Sequence, residues 1–155
     1  MRLTQGLSRE KSCMNVSKAF FDTNVLLYMY GGDQDKQTRA IELFRLHAMA
    51  GCMLLSTQVI QEFYVAGARK LGMPRRELRE ATLALLDSPL VILGPSHIVS
   101  AIDKQERYQI SFWDSLILSA AEFGGAKLLY TEDLNDSQQY GAVTVRNPFR
   151  ATGQN

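Results

Sequence analysis

Four carboxylates fall at comparable stations along this chain. Asp22 ends the run Lys18-Ala19-Phe20-Phe21, and Asp133 lies just past Lys127-Leu128-Leu129-Tyr130. Glu62 lies in the helix predicted to follow Met53-Leu54-Leu55, and Asp114 opens an apolar helix. An open α/β sheet gathers such places outside the carboxyl ends of its strands. Gathered acids repel: two charges about 4 Å apart cost ~1 kcal/mol in water and ~4 kcal/mol at an effective dielectric of 20. A divalent cation relieves that repulsion, and hard oxygen ligands suit Mg²⁺ or Mn²⁺. The chemistry this implies is metal-assisted hydrolysis of a phosphodiester. His47 and His97 have no serine, cysteine or second histidine at motif spacing, so a histidine-based mechanism is not expected.

Each acid also has a plainer reading. Asp22 could simply cap the helix that follows, although Thr23 and Asn24 add polar groups that would support a ligand. Glu62 has Val59 and Ala66 on its face of the helix, which points it inward; the plainer reading is a surface ion pair with Arg69. Ser111-Phe112-Trp113-Asp114 matches a capping box, yet Ile117 and Leu118 share the face of Asp114. In Thr131-Glu132-Asp133-Leu134-Asn135-Asp136 three acids crowd one turn, and pattern alone does not select among them. Trp113, Phe112 and Phe149 read as core residues.

The elements that must position these residues alternate. Strands are expected at 18–21, 53–55, 90–93, 128–130 and 142–145, with 23–30 a short apolar segment. Helices are expected over 33–50, 57–71, 75–86, 96–108 (capped by Ser96) and 111–123. Short apolar strands alternating with helices make a mainly parallel sheet of about five strands. Residues 1–15 are polar and aperiodic, a flexible tail in which Met14 could be the biological start; residues 16–150 form one domain.

The 155 residues, 46% hydrophobic and 21% charged, suit an ordinary globular domain. No apolar run spans a bilayer and the N-terminus has no signal-peptide core, so a cytoplasmic protein without membrane contact is expected. A net charge of +1 gives no global field for nucleic acid, but Arg69, Lys70, Arg75, Arg76 and Arg79 make a local basic stretch that could border the acids and hold phosphates. Cys13 and Cys52 suggest neither a disulfide framework nor a metal site, and Cys52 reads as a small buried side chain.

Taken together these segments resemble a PIN domain, the fold of many metal-dependent ribonucleases including VapC-type toxins. Phe20-Phe21-Asp22-Thr23-Asn24-Val25-Leu26 resembles the family's first strand and acid; Ser56-Thr57-Gln58-Val59-Ile60-Gln61-Glu62-Phe63 resembles the second station. Trp113-Asp114-Ser115-Leu116-Ile117-Leu118 resembles the third, and Tyr130-Thr131-Glu132-Asp133-Leu134 the fourth, where the family pattern selects Asp133. The closing Val143-Thr144-Val145-Arg146-Asn147-Pro148-Phe149 also fits. The resemblance implies a three-layer α/β/α fold and hydrolysis of RNA. Asp22, Asp114 and Asp133 would hold one or two Mg²⁺ or Mn²⁺ ions, Glu62 would be a further ligand or orient the attacking water, and Asn24 and Thr131 would support them. It further implies a homodimer and, for toxin members, an antitoxin protein lying across the acidic groove.

Two other readings compete. A phosphotransferase using Asp22 as nucleophile would want a second acid where Asn24 stands. A non-catalytic PIN-like module would bind metal or protein through the same acids without cleaving RNA.

Overall fold

The computed structural model describes residues 15–150; the expected tail and Met14 lie outside them, as does Cys13. Six strands form one sheet in the order β3-β2-β1-β4-β6-β5. They are β1 (Ala19–Phe21), β2 (Met53–Ser56), β3 (Leu90–Val91), β4 (Leu128–Tyr130), β5 (Gln139–Tyr140) and β6 (Val143–Arg146). Every pairing is parallel except β5 with β6. The helices are α1 (Thr23–Tyr28), α2 (Gln34–Met49), α3 (Thr57–Leu71), α4 (Arg75–Leu86), α5 (Pro95–Tyr108) and α6 (Phe112–Phe123). Sheet and helices make a three-layer α/β/α fold.

The sequence explains the centre of this sheet. A strand covered on both faces has no side to give to water, so it reads as an unbroken apolar run. Ala19, Phe20 and Phe21 are all fully buried, between β2 and β4. The chain builds from β1 outward to β3 and then crosses to β4 on the other side of β1. Strand order therefore reverses between β1 and β4, and the crevice outside their carboxyl ends is where such folds bind ligands. The aromatic ring of Phe21 lies 5.2 Å from that of Tyr130 and 5.5 Å from that of His47. His47 is buried, its Nδ1 3.0 Å from the Leu43 carbonyl oxygen, and belongs to this core.

Five expectations need correction. The sheet has six strands, because the polar pair Gln139-Tyr140 turns back on β6 through Gly141, whose φ of +60° suits glycine. The third strand stops at Val91: Ile92 is 75% exposed and the Leu93 N–H bonds the Thr57 hydroxyl at 3.2 Å, not a ladder partner. The apolar segment after Asp22 is the helix α1. The cap of α5 is Gly94, two residues before the expected Ser96, with Pro95 in the first turn and the Gly94 N–H donating to His97 Nδ1 at 3.0 Å. Cys52 is fully buried as expected but takes part in a disulfide, which corrects its reading as an isolated side chain.

No helix of the described residues is long and apolar enough to cross a membrane. Leu129, fully buried at the centre of β4, tests whether the sheet carries the stability. Leu129→Ala should lower the unfolding free energy by about 2–5 kcal/mol in urea denaturation; a loss under about 1 kcal/mol would contradict that burial.

Candidate active site

The parallel register of β1 and β4 builds the site. Phe21 pairs with Tyr130, and the Asp22 N–H continues the ladder to the Tyr130 carbonyl at 3.0 Å. The next residue of each strand end is therefore Asp22 beside Thr131. Their side chains meet, the Thr131 hydroxyl donating to Asp22 Oδ2 at 2.7 Å. Asp22 also caps α1, its Oδ1 accepting from the Thr23 N–H at 2.7 Å. The plain capping reading holds, and the same side chain also lines the cavity. Asn24 ties the two strand ends together: its Nδ2 lies 2.9 Å from Asp133 Oδ2, 3.2 Å from Thr131 Oγ1 and 3.4 Å from Asp22 Oδ2.

Glu62 comes from α3 and Asp114 from the first turn of α6. Glu62 makes no pair with Arg69; its Oε2 accepts from the Thr23 hydroxyl at 2.6 Å and its Oε1 from Gln58 Nε2 at 2.8 Å. Gln58 also reaches the Trp113 carbonyl at 3.4 Å, which links α3 to the start of α6. Half of the expected capping box forms at Ser111, whose hydroxyl accepts from the Asp114 N–H at 3.0 Å. The other half differs, because the Asp114 carboxylate bonds the Ser111 hydroxyl at 2.8 Å.

All four acids line one cavity of about 660 Å³, with Thr23, Asn24 and Gln58 among its walls. Among the described residues none of the four makes an ion pair; the cations pair elsewhere, as Lys36 does with Glu132 and Arg76 with Glu80. Burial, reinforced by the charges of Glu62 and Asp133, pushes the Asp22 carboxyl from 3.8 up to about 7, against the lowering effect of the bonds from Thr131 and Thr23. Burial also raises Asp114, assisted by Asp133 and Glu62 and opposed by Ser111. The acids feel one another.

The donor set fits a hard divalent cation. Besides the unpaired acids, two buried amide oxygens, Asn24 Oδ1 and Gln58 Oε1, have no hydrogen-bond donor. Such an orphan costs about 1–3 kcal/mol, and a cation or its water would satisfy it. Among the described residues no three His, Cys, Asp or Glu side chains already stand in a ligating array.

Trp113 corrects the sequence reading. It is 63% exposed and lines the cavity instead of filling the core, whereas Phe149 packs against the core with its ring 4.8 Å from that of Tyr28. Of the basic stretch, Arg69 and Lys70 line the cavity and Arg75, Arg76 and Arg79 do not. Gln58 was missed; its position four residues before Glu62, on the same helix face, was the available signal.

The Asp22 environment sets a pH dependence. An unfolded chain releases the Asp22 proton near 3.8 and the metal-free fold near 7. Between those values the folded state holds more protons, so stability falls as pH rises through the window and levels above it. The fall attributable to Asp22 is on the order of 4 kcal/mol. In EDTA, unfolding free energies of wild type relative to Asp22→Asn should decline from pH 4 to pH 7; parallel profiles would contradict the burial effect.

The chain is similar to known proteins at the level of a family model and of solved structures. The family model described as PIN domain matches residues 19–140. A solved toxin from Mycobacterium tuberculosis, VapC20, described as cleaving the sarcin-ricin loop, superposes with a TM-score of 0.62 at 18% identity, over 74% of this chain and 89% of that one. A chain of a toxin-antitoxin complex from Klebsiella pneumoniae gives a TM-score of 0.66 at 20% identity, over 86% of this chain and 99% of that one. No curated protein sequence matches the chain. At these identities the two structures speak for the fold alone, and the family match decides membership: with its acids gathered where β1 and β4 end, the chain belongs to the PIN domain family.

Proposed function

We propose that the protein is a divalent-metal-dependent endoribonuclease that hydrolyses RNA phosphodiester bonds, acting as the toxin of a toxin-antitoxin pair. The observation that carries this reading is the meeting of Asp22, Glu62, Asp114 and Asp133 in one cavity, none of them in an ion pair among the described residues. The likeness to the two solved structures supports the toxin part and an antitoxin partner.

Asp22, Asp114 and Asp133 would hold Mg²⁺ or Mn²⁺, with Glu62 beside them. When bound, such an ion lowers the pKa of its water and neutralises charge growing on the phosphate oxygens. The chain's own residues set the rest. Thr131, Thr23 and Asn24 all point donors at Asp22 and hold it as an acceptor. Thr23 and Gln58 grip one oxygen each of Glu62, which fixes it to orient the attacking water or take its proton. Arg69 and Lys70, at the far end of α3, are placed to receive phosphates.

Asp22→Asn and Asp114→Asn should each reduce Mn²⁺-dependent cleavage of total RNA by roughly two orders of magnitude or more, a loss of about 2.7 kcal/mol in transition-state stabilisation. EDTA should abolish the wild-type activity and Mn²⁺ restore it. Cleavage by Asp22→Asn at the wild-type rate would overturn the reading. If Thr131 supports the metal site through Asp22, Thr131→Val should weaken Mn²⁺ binding by about 10- to 100-fold in calorimetry; an unchanged affinity would remove Thr131 from the site.

A further inference from the structure

Large exposed apolar side chains are scattered over most proteins and need no account singly. Trp113 is different because of its neighbours. It lines the acidic cavity, immediately precedes Asp114, and is held at its backbone by Gln58, the residue that also positions Glu62. More exposed residues, Met49 and Ile92, do not line that cavity. The ring of Phe112 braces the indole from within the same turn, centroids 5.4 Å apart in an edge-to-face arrangement.

The charge distribution raises a problem that the indole answers. A nucleic acid entering this cavity carries its phosphates toward four carboxylates, and Coulomb repulsion opposes its approach. Affinity has to come from contacts indifferent to that charge or from cations set back from the acids. Stacking of a base on an aromatic ring is indifferent to charge and available to every base. The cations are present too: Arg69 lies seven residues beyond Glu62 on α3, about 10 Å along the helix axis. Arg69 and Lys70 both line the cavity, and neither makes an ion pair among the described residues. The lining thus runs from an exposed indole through the acids to two free cations, with Leu27, Val65 and Ile117 as apolar wall.

We propose that Trp113 is a stacking platform for a base of unpaired RNA, and that Arg69 and Lys70 hold phosphates of the same strand away from the carboxylates. This rests on the nuclease reading and deepens it: the substrate segment at the site is single-stranded, because a paired and stacked base has no face to offer.

Trp113 is the only tryptophan in the chain, so intrinsic fluorescence reports on it alone. The experiment titrates the full-length, EDTA-treated protein with a short unstructured oligoribonucleotide, with the same strand annealed to its complement, and with an abasic strand of equal length. The expected result is saturable quenching by the unpaired strand and little by the duplex or abasic strand. In a binding assay independent of fluorescence, Trp113→Ala should bind the unpaired strand about 5- to 150-fold more weakly, and Trp113→Phe should recover most of that loss. Arg69→Ala with Lys70→Ala should lower the slope of log affinity against log salt by roughly 0.7 for each phosphate released. Equal quenching by all three strands overturns the proposal. So does unchanged RNA binding by Trp113→Ala, which would leave the indole to a protein partner. The two readings fail separately: RNA cleavage by a wild type that shows no quenching sinks the platform and keeps the nuclease. Quenching in a protein that cleaves no RNA with Mn²⁺ keeps the platform and sinks the nuclease.

Discussion

The pairing of β1 with β4 is the constraint on which the rest of the site depends. Phe21 opposite Tyr130 makes Asp22 and Thr131 lateral neighbours at the end of the sheet, and the Asp22 N–H locks the pairing by bonding the Tyr130 carbonyl. In a strand, a slip of one residue turns every side chain to the other face. Such a slip here would carry Asp22 out of the cavity and set Ala19, Phe20 and Phe21 each against the wrong helical layer. The hydrophobic packing of Phe20, Phe21 and Leu129, all fully buried, therefore fixes the placement of Asp22 in the candidate site.

The hydrogen-bond polarity around Asp22 shows what this packing is set against. The Thr131 hydroxyl accepts from Asn24 Nδ2 and from the Asp133 N–H, so its one proton goes to Asp22. The Thr23 N–H and Asn24 Nδ2 also donate toward that carboxylate. Every neighbour treats Asp22 as an acceptor, while burial pushes its pKa up to about 7. A side chain surrounded by donors yet expensive to ionise is a local conflict of the kind that functional sites retain and the remainder of the fold offsets.

Much of this was legible in the sequence because it rests on short-range pattern. A buried central strand is a continuous apolar run, so Ala19–Phe21 and the acid after it stand out, as does the apolar helix behind Asp114. What could not be read depends on tertiary context. Gln139-Tyr140 has no strand-like apolarity and becomes β5 because β6 offers it an unpaired edge. Leu90–Leu93 reads as one strand, yet only two residues find a partner on β2. Trp113 looks like core by composition, and its exposure follows from where α6 begins relative to α3, a distance no local pattern encodes. Among Glu132, Asp133 and Asp136 local pattern does not choose, although the family resemblance favours Asp133, and the fold separates them: Glu132 pairs with Lys36 at 2.9 Å, Asp136 accepts from the Asn147 N–H at 2.8 Å, and Asp133 lines the cavity.

The four acids are held in two differently built groups. Asp22 directly follows β1 and Asp133 lies in the bend after β4, the two joined by Asn24 and Thr131 into one network. Glu62 and Asp114 stand on helices, with Gln58 linking Glu62 to the start of α6. Thr23 bridges the groups, its N–H on Asp22 and its hydroxyl on Glu62 at 2.6 Å. The adjustable part is Glu62, Asp114 and Asp133, held by side-chain hydroxyls and amides that can turn, while Asp22 has its N–H in the sheet ladder and its Oδ1 on the Thr23 N–H. The same asymmetry places Trp113 on the adjustable part, beside Asp114, where loading of the acids and seating of a substrate base would be mechanically coupled through one turn of α6.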